Sequence, residues 1–179
     1  MTSRWTAVTL LTVLATCVGC EKNSSTQTVQ PSIANTASVD GEKFLLTAEP
    51  DGAEDVIRVR EVAKDDDAVV IVGRIGGSAN PWIEGRAAFS IVDGSLKACS
   101  DIPGDSCKKP WDYCCETLKL PTSTAFVKVV DENGDVVKAD ARELLKIKEL
   151  STVVVQGKAK RDDAGNLTVL ATGVYVKKK

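Results

Sequence analysis

A chain of 179 residues, 43% of them hydrophobic, is long enough for one domain with a sizeable core. Its 23 basic and 25 acidic residues leave a net charge of −2, so it carries no overall attraction for nucleic-acid backbones. The absence of any histidine excludes Ser–His–Asp catalysis, imidazole acid–base chemistry and His-containing metal sites.

Residues 1–19, MTSRWTAVTLLTVLATCVG, join a single basic residue, Arg4, to an apolar run that ends at Gly19. The run falls short of the roughly 20 apolar residues that span a bilayer as a helix, and the arrangement is that of a secretory signal. Gly19-Cys20, followed at once by polar Glu21-Lys22-Asn23, resembles the lipobox of bacterial lipoproteins, in which a small residue precedes the cysteine that is lipidated. Cys17, where such motifs usually carry leucine, is the one departure. The resemblance implies cleavage after Gly19, lipidation at Cys20 and attachment to a membrane of the bacterial cell envelope. Loss of Arg4 with the signal leaves 22 basic against 25 acidic residues, a net charge of −3.

Residues 20–43 are rich in Ser, Thr, Asn and Gln and lack an apolar period, so they read as a disordered tether behind the lipid. The domain is expected over 44–179. Pro50-Asp51-Gly52 breaks the chain before AEDVIRVREVAK, where Val56, Val59 and Ala63 recur at helical spacing; a strand over Val56–Val62 is the competing reading. Asp65-Asp66-Asp67 follows as a solvated turn, without the remaining ligands of a calcium loop.

Five strands are predicted next. Ala68–Ile75 is a β-branched run closed by Gly76-Gly77, whose glycines bend a strand rather than cradle a phosphate. Arg86–Val92 alternates, with Ala87, Phe89 and Ile91 on one face. Thr124–Val130 alternates too, and both Phe89 and Phe126 are expected in the core. An Asn133-Gly134 turn follows. DARELLKIKEL then predicts a short helix, with Asp140 as its cap and Leu144, Leu145 and Ile147 facing inward. Thr152–Lys160 and Leu167–Val176 flank the hairpin loop RDDAGN.

Five strands with a helix between the third and fourth is the OB-fold arrangement, a small Greek-key barrel. The expected class is therefore mainly β, an OB-fold-like barrel with one or two short helices; a β-sandwich is the alternative. The pattern over 53–176 resembles small periplasmic OB-fold proteins in architecture, and it carries no catalytic motif.

Between the second and third strands lies a long insert, 93–123, with Cys99, Cys107, Cys114 and Cys115 spaced C-x7-C-x6-C-C. Loops of this length in compact domains have a job or are stapled down. Three readings stand. In an oxidising compartment two disulfides are expected, with Cys114 and Cys115 each bridging to Cys99 or Cys107. The second reading is a four-thiolate site for zinc or an iron–sulfur cluster, assisted by Asp101, Asp105, Asp112 or Glu116. The third is a thiol redox centre. Trp111, Tyr113 and Trp82, all in loops, are the candidate binding surface. The function expected is a non-enzymatic, membrane-anchored binding module for an envelope protein or small ligand, with no cofactor needed. A metal or thiol-redox protein is the alternative, and a nucleic-acid-binding OB-fold follows from fold analogy alone.

Overall fold

A computed structural model describes residues 39–178 of the protein. The signal over 1–19, Cys20 and most of the tether lie outside the described residues.

The chain forms a closed five-stranded barrel with one extra short strand, the OB-fold-like architecture expected of it. In chain order the elements are β1 (Glu54–Asp55), α1 (Val56–Val62), β2 (Ala68–Ile75), β3 (Ala88–Val92), α2 (Leu120–Ser123), β4 (Thr124–Val129), α3 (Ala141–Leu145), β5 (Thr152–Arg161) and β6 (Leu167–Val176). Hydrogen-bonded neighbours run β2-β3-β4-β6-β5, and β5 returns to β2. The closing ladder extends from Ala68↔Lys158 to Arg74↔Thr152, and this removes the β-sandwich alternative. β4 and β6 pair in parallel, which the helix between β4 and β5 makes possible by returning the chain across one end of the barrel.

Strand alternation fills the interior. Ile71 and Ile75 of β2, Phe89 and Ile91 of β3, Val127 and Val129 of β4 and Val153 and Val155 of β5 are all fully buried. Gly73 occupies an inward position of β2, where an added Cβ would lie 3.1 Å from Val56 Cγ2 and 3.0 Å from Ile91 Cβ. α1 therefore plugs the barrel through Val56, which uses the space that a side chain at 73 would need.

The helix reading of 56–62 holds over the strand reading, and the reason lies far along the chain. Asp93, buried at the end of β3, accepts the Ile57 N–H at 2.8 Å, and its other oxygen accepts the Ser95 N–H and hydroxyl. This carboxylate satisfies a donor of the first helical turn that no local side chain reaches. Burial pushes the Asp93 carboxyl upward, but the bonds from Ile57 and Ser95 outweigh it and hold it below the ordinary value. A carboxyl lowered in the fold adds stability above its unfolded value of about 3.9 and loses it as pH falls through the folded value. Asp93→Asn is therefore expected to cost about 1–2 kcal/mol at pH 7, and the gap to the parent should narrow below about pH 4 in urea titrations. A gap unchanged at pH 3 would show that the charge plays no part.

Two sequence expectations fail here. Phe126 is not in the core: β4 turns Ala125, Val127 and Val129 inward, and Phe126 lies half-buried on the outer face with the Lys128 ammonium 5.7 Å from its ring. Residues 39–43, assigned to the tether, pack on the domain. Val39 lies against the core, and Gly41 approaches α3 so closely that a Cβ would meet the Leu144 carbonyl oxygen at 1.9 Å.

Candidate metal centre

The insert docks on the outside of β2 and β3 through a second hydrophobic cluster of Val92, Leu96, Ala98 and Tyr113, with Leu120 and Leu150 against it. Tyr113 is its centre, at 0% exposure. The ring lies on Gly76, where a Cβ would come within 2.6 Å of Tyr113 Cε2. Gly76 is thus a seat for an aromatic ring as well as a strand-bending glycine. Burial raises the tyrosine's pKa, Asp101 adds to this, and Arg74 partly offsets it.

Polar ties hold the rest of the insert. Arg74, the one charged residue of β2, donates to Asp101 with Nη1–Oδ2 at 2.5 Å. Trp111 Nε1 donates to the Ala79 carbonyl at 3.3 Å. Backbone bonds from Cys99 N to Asp112 O and from Ser100 N to Pro110 O lay the two arms of the loop side by side. Short 3-10 turns at Cys99–Asp101 and Cys114–Glu116 then aim their first cysteines at each other.

The result is a cluster of three thiols. The sulfurs of Cys99, Cys107 and Cys114 all lie within 4.8 Å of one another, with Cys99 and Cys114 at 3.3 Å. Such a group can hold a metal ion. Sulfurs about 2.3 Å from a tetrahedral zinc stand about 3.8 Å apart, between these limits. Cys99 is buried, Cys107 half-buried and Cys114 exposed. The Cys99 thiol is pushed up to about 12 by burial and by the thiols of Cys114 and Cys107, while the Cys114 backbone N–H acts in the opposite sense. For Cys114 the hydrogen bond with Cys99 works downward, yet burial and the neighbouring Cys115 and Cys107 leave the thiol raised. Nucleophilic redox cysteines have lowered pKa values, set by a cation, a metal or a helix N-terminus. The direction at both cysteines is the reverse.

The four cysteines do not behave as one set. Cys115 acts on the Cys114 thiol but lies outside the three-sulfur group, and its sulfur stands 3.9 Å from Asp105 Oδ2. Consecutive residues of a 3-10 turn project about 120° apart, so Cys114 and Cys115 leave the backbone in different directions. Cys99 and Cys114, one of the expected pairings, stand with their sulfurs in contact at 3.3 Å, against about 2.05 Å in a disulfide bond. Of the acids proposed to assist, Asp101 is held by Arg74, Asp112 accepts the Tyr113 N–H and Glu116 pairs with Lys119. Asp105 alone is drawn to a thiol, and its Oδ1 also accepts the Cys107 N–H at 2.6 Å.

The aromatic residues proposed as a binding surface are mostly used inside. Trp82 is 5% exposed, tilted on Phe89 with ring centroids 5.9 Å apart and covered by the Arg142 guanidinium, and its Nε1 donates to Glu149 at 2.8 Å. Tyr113 is buried, and only Trp111 keeps part of its ring at the surface. Sequence reasoning missed Gly76, Arg74 and Asp93 as supports of this region. An arginine inside an apolar strand was the signal available for Arg74. Elsewhere on the outer face, over β3 and β4, a groove of about 780 Å³ is lined by Phe126, Arg86, Lys128 and Lys138, with Asp131 and Asp135 among them.

Among the described residues no helix is long and apolar enough to cross a membrane. Comparison with protein-family models gives no match, and comparison with curated proteins gives no significant one.

Proposed function

We propose that the protein is a lipid-anchored envelope module whose OB-fold-like barrel is a rigid mount for a thiolate metal site, with zinc as the natural occupant. The reading is non-enzymatic: binding and holding an ion, not turnover. The observation that carries it is the convergence of three cysteine sulfurs, within 4.8 Å of one another, on a loop fixed to the barrel by Tyr113 and Arg74. Soft thiolates select zinc, monovalent copper or iron–sulfur clusters. A cluster with four cysteine ligands is disfavoured because Cys115 lies outside the group of three close sulfurs. In an exported protein a bound ion would also protect these thiols from the oxidation that the compartment favours. A second reading rests on the 3.3 Å contact of Cys99 and Cys114, which a small shift would convert into a disulfide clasp. Anchoring rests on the Gly19-Cys20 motif.

One preparation tests all three. The full chain is exported, extracted from membranes in detergent without chelator, and weighed natively and after denaturing alkylation. The expected result is a native-only mass excess of one zinc ion with Cys99, Cys107, Cys114 and Cys115 all alkylated, and loss of membrane attachment in Cys20→Ala. A metal-free protein lighter by two hydrogens, with Cys99 and Cys114 protected until reduction, would replace the metal site with the clasp. Cys20→Ala that still fractionates with membranes through lipid would sink the anchor.

A further inference from the structure

We infer that the metal site has three protein ligands, Cys99, Cys107 and Cys114, and an open fourth position facing solvent that takes a small thiol as an external ligand. This rests on the reading of these thiols as a metal site and says what that site binds in turn.

The geometry sorts the four cysteines into three and one. Cys115 lies outside the three-sulfur group with its sulfur 3.9 Å from Asp105 Oδ2, on the 3-10 turn at Cys114–Glu116. That turn is closed by the Glu116 N–H bond to the Tyr113 carbonyl at 2.8 Å. Tyr113 is in turn immobilised at 0% exposure in its cluster against Gly76. Of the two neighbours on this turn, Cys114 is the one whose sulfur joins those of Cys99 and Cys107. No carboxylate belongs to the three-sulfur group among the described residues, and one oxygen of Asp105 accepts the Cys107 N–H.

The triangle also has an inside and an outside. Cys99 is at the buried corner, Cys107 is intermediate and Cys114 is exposed. An ion seated on the three sulfurs is therefore covered from the Cys99 side and reachable from the Cys114 side. Zinc sites with three protein ligands keep a fourth position for water or an incoming ligand. Three sulfur donors make the ion soft, and a soft ion prefers sulfur over water. The external ligand that this chemistry recognises is a low-molecular-weight monothiol, bound as its thiolate with release of one proton.

The test is zinc-edge X-ray absorption on the full chain loaded with Zn(II) alone, as parent, Cys115→Ser and Asp105→Asn, each with and without 2-mercaptoethanol. Without thiol, all three are expected to show three sulfurs at about 2.3 Å and one lighter donor at about 2.0–2.1 Å. With thiol, all three should gain a fourth sulfur, and Cys114→Ser should lose a sulfur under both conditions. Four sulfurs in the parent without thiol, falling to three in Cys115→Ser, would overturn the inference and leave the metal site standing. Loss of the lighter donor in Asp105→Asn, or three sulfurs that do not rise with thiol, would overturn the open position. A parent that retains no zinc would remove the metal-site reading itself.

Discussion

Gly157→Ala is expected to lower the unfolding free energy by about 3 kcal/mol, the upper end of overpacking costs, although the new residue adds only one methyl group. At Gly157 the β5–β6 ladder slips by one residue, the bulge that lets the barrel coil. A Cβ there would stand 2.1 Å from the Leu170 carbonyl oxygen, 2.8 Å from its carbon and 2.9 Å from Ala171 Cα. All three atoms are backbone, so no rotamer change relieves the contact, and the pairing between β5 and β6 must open. Alanine's smaller backbone entropy loss, worth about 0.5–1 kcal/mol in a strand, works in the other direction and is outweighed. Gly173→Ala is the control. Its Cβ would meet Leu46 Cδ2 at 2.8 Å, the far end of a flexible side chain that can turn aside. That variant should cost under about 1 kcal/mol. Urea unfolding of the two beside the parent decides the matter, and equal midpoints for both variants would show that β6 yields at the bulge.

The strands were legible because their signal is local. Ala68–Ile75 and Leu167–Val176 are β-branched runs that end in glycine or charge, and the strands occupy those residues. The five-strand order with an interposed helix then restricted the topology to few possibilities, and the barrel closed as expected. Facing directions were harder. In TAFVKVV either phase puts apolar residues inward, and the large ring of Phe126 favours the wrong one. Lys128 shares the phase of Phe126, and burying it would strand a charge, so Ala125, Val127 and Val129 face the core instead. Trp82 escaped for a different reason. Its indole N–H is satisfied by Glu149, sixty-seven positions along the chain, and nothing near Trp82 announces that partner. At the site, the spacing showed four cysteines in one loop but not their division into three and one. The 3-10 turn that brings Cys114 to Cys99 follows directly on Tyr113, which is seated at Gly76.

Tyr113→Ala is therefore expected to have the largest effect on the site, with a cost of about 3–5 kcal/mol, as for large aromatic truncations in cores. The ring joins the insert to the barrel: it fills the space over Gly76 and packs with Val92, Leu96 and Ala98. Its removal leaves a void that the strand glycine cannot fill, and the neighbouring turn at Cys114–Glu116 loses the fixed carbonyl that closes it. Cys99, at 2% exposure in the parent, should then react with a water-soluble thiol reagent many times faster. Tyr113→Phe separates packing from polarity. The Tyr113 hydroxyl is buried without a hydrogen-bond partner among the described residues, so deleting it removes a desolvated donor and keeps the ring. The phenylalanine variant should be at least as stable as the parent, by up to about 1 kcal/mol, with Cys99 as slow to react as before. Urea unfolding and the rate of Cys99 modification, read on both variants, test the argument together. An alanine variant within about 1 kcal/mol of the parent, with Cys99 still protected, would mean that Arg74 and the paired loop arms hold the insert and the ring is incidental. A phenylalanine variant that loses stability would mean instead that the hydroxyl is engaged, with Arg74 and Asp101 the first groups to test, since both act on it electrostatically.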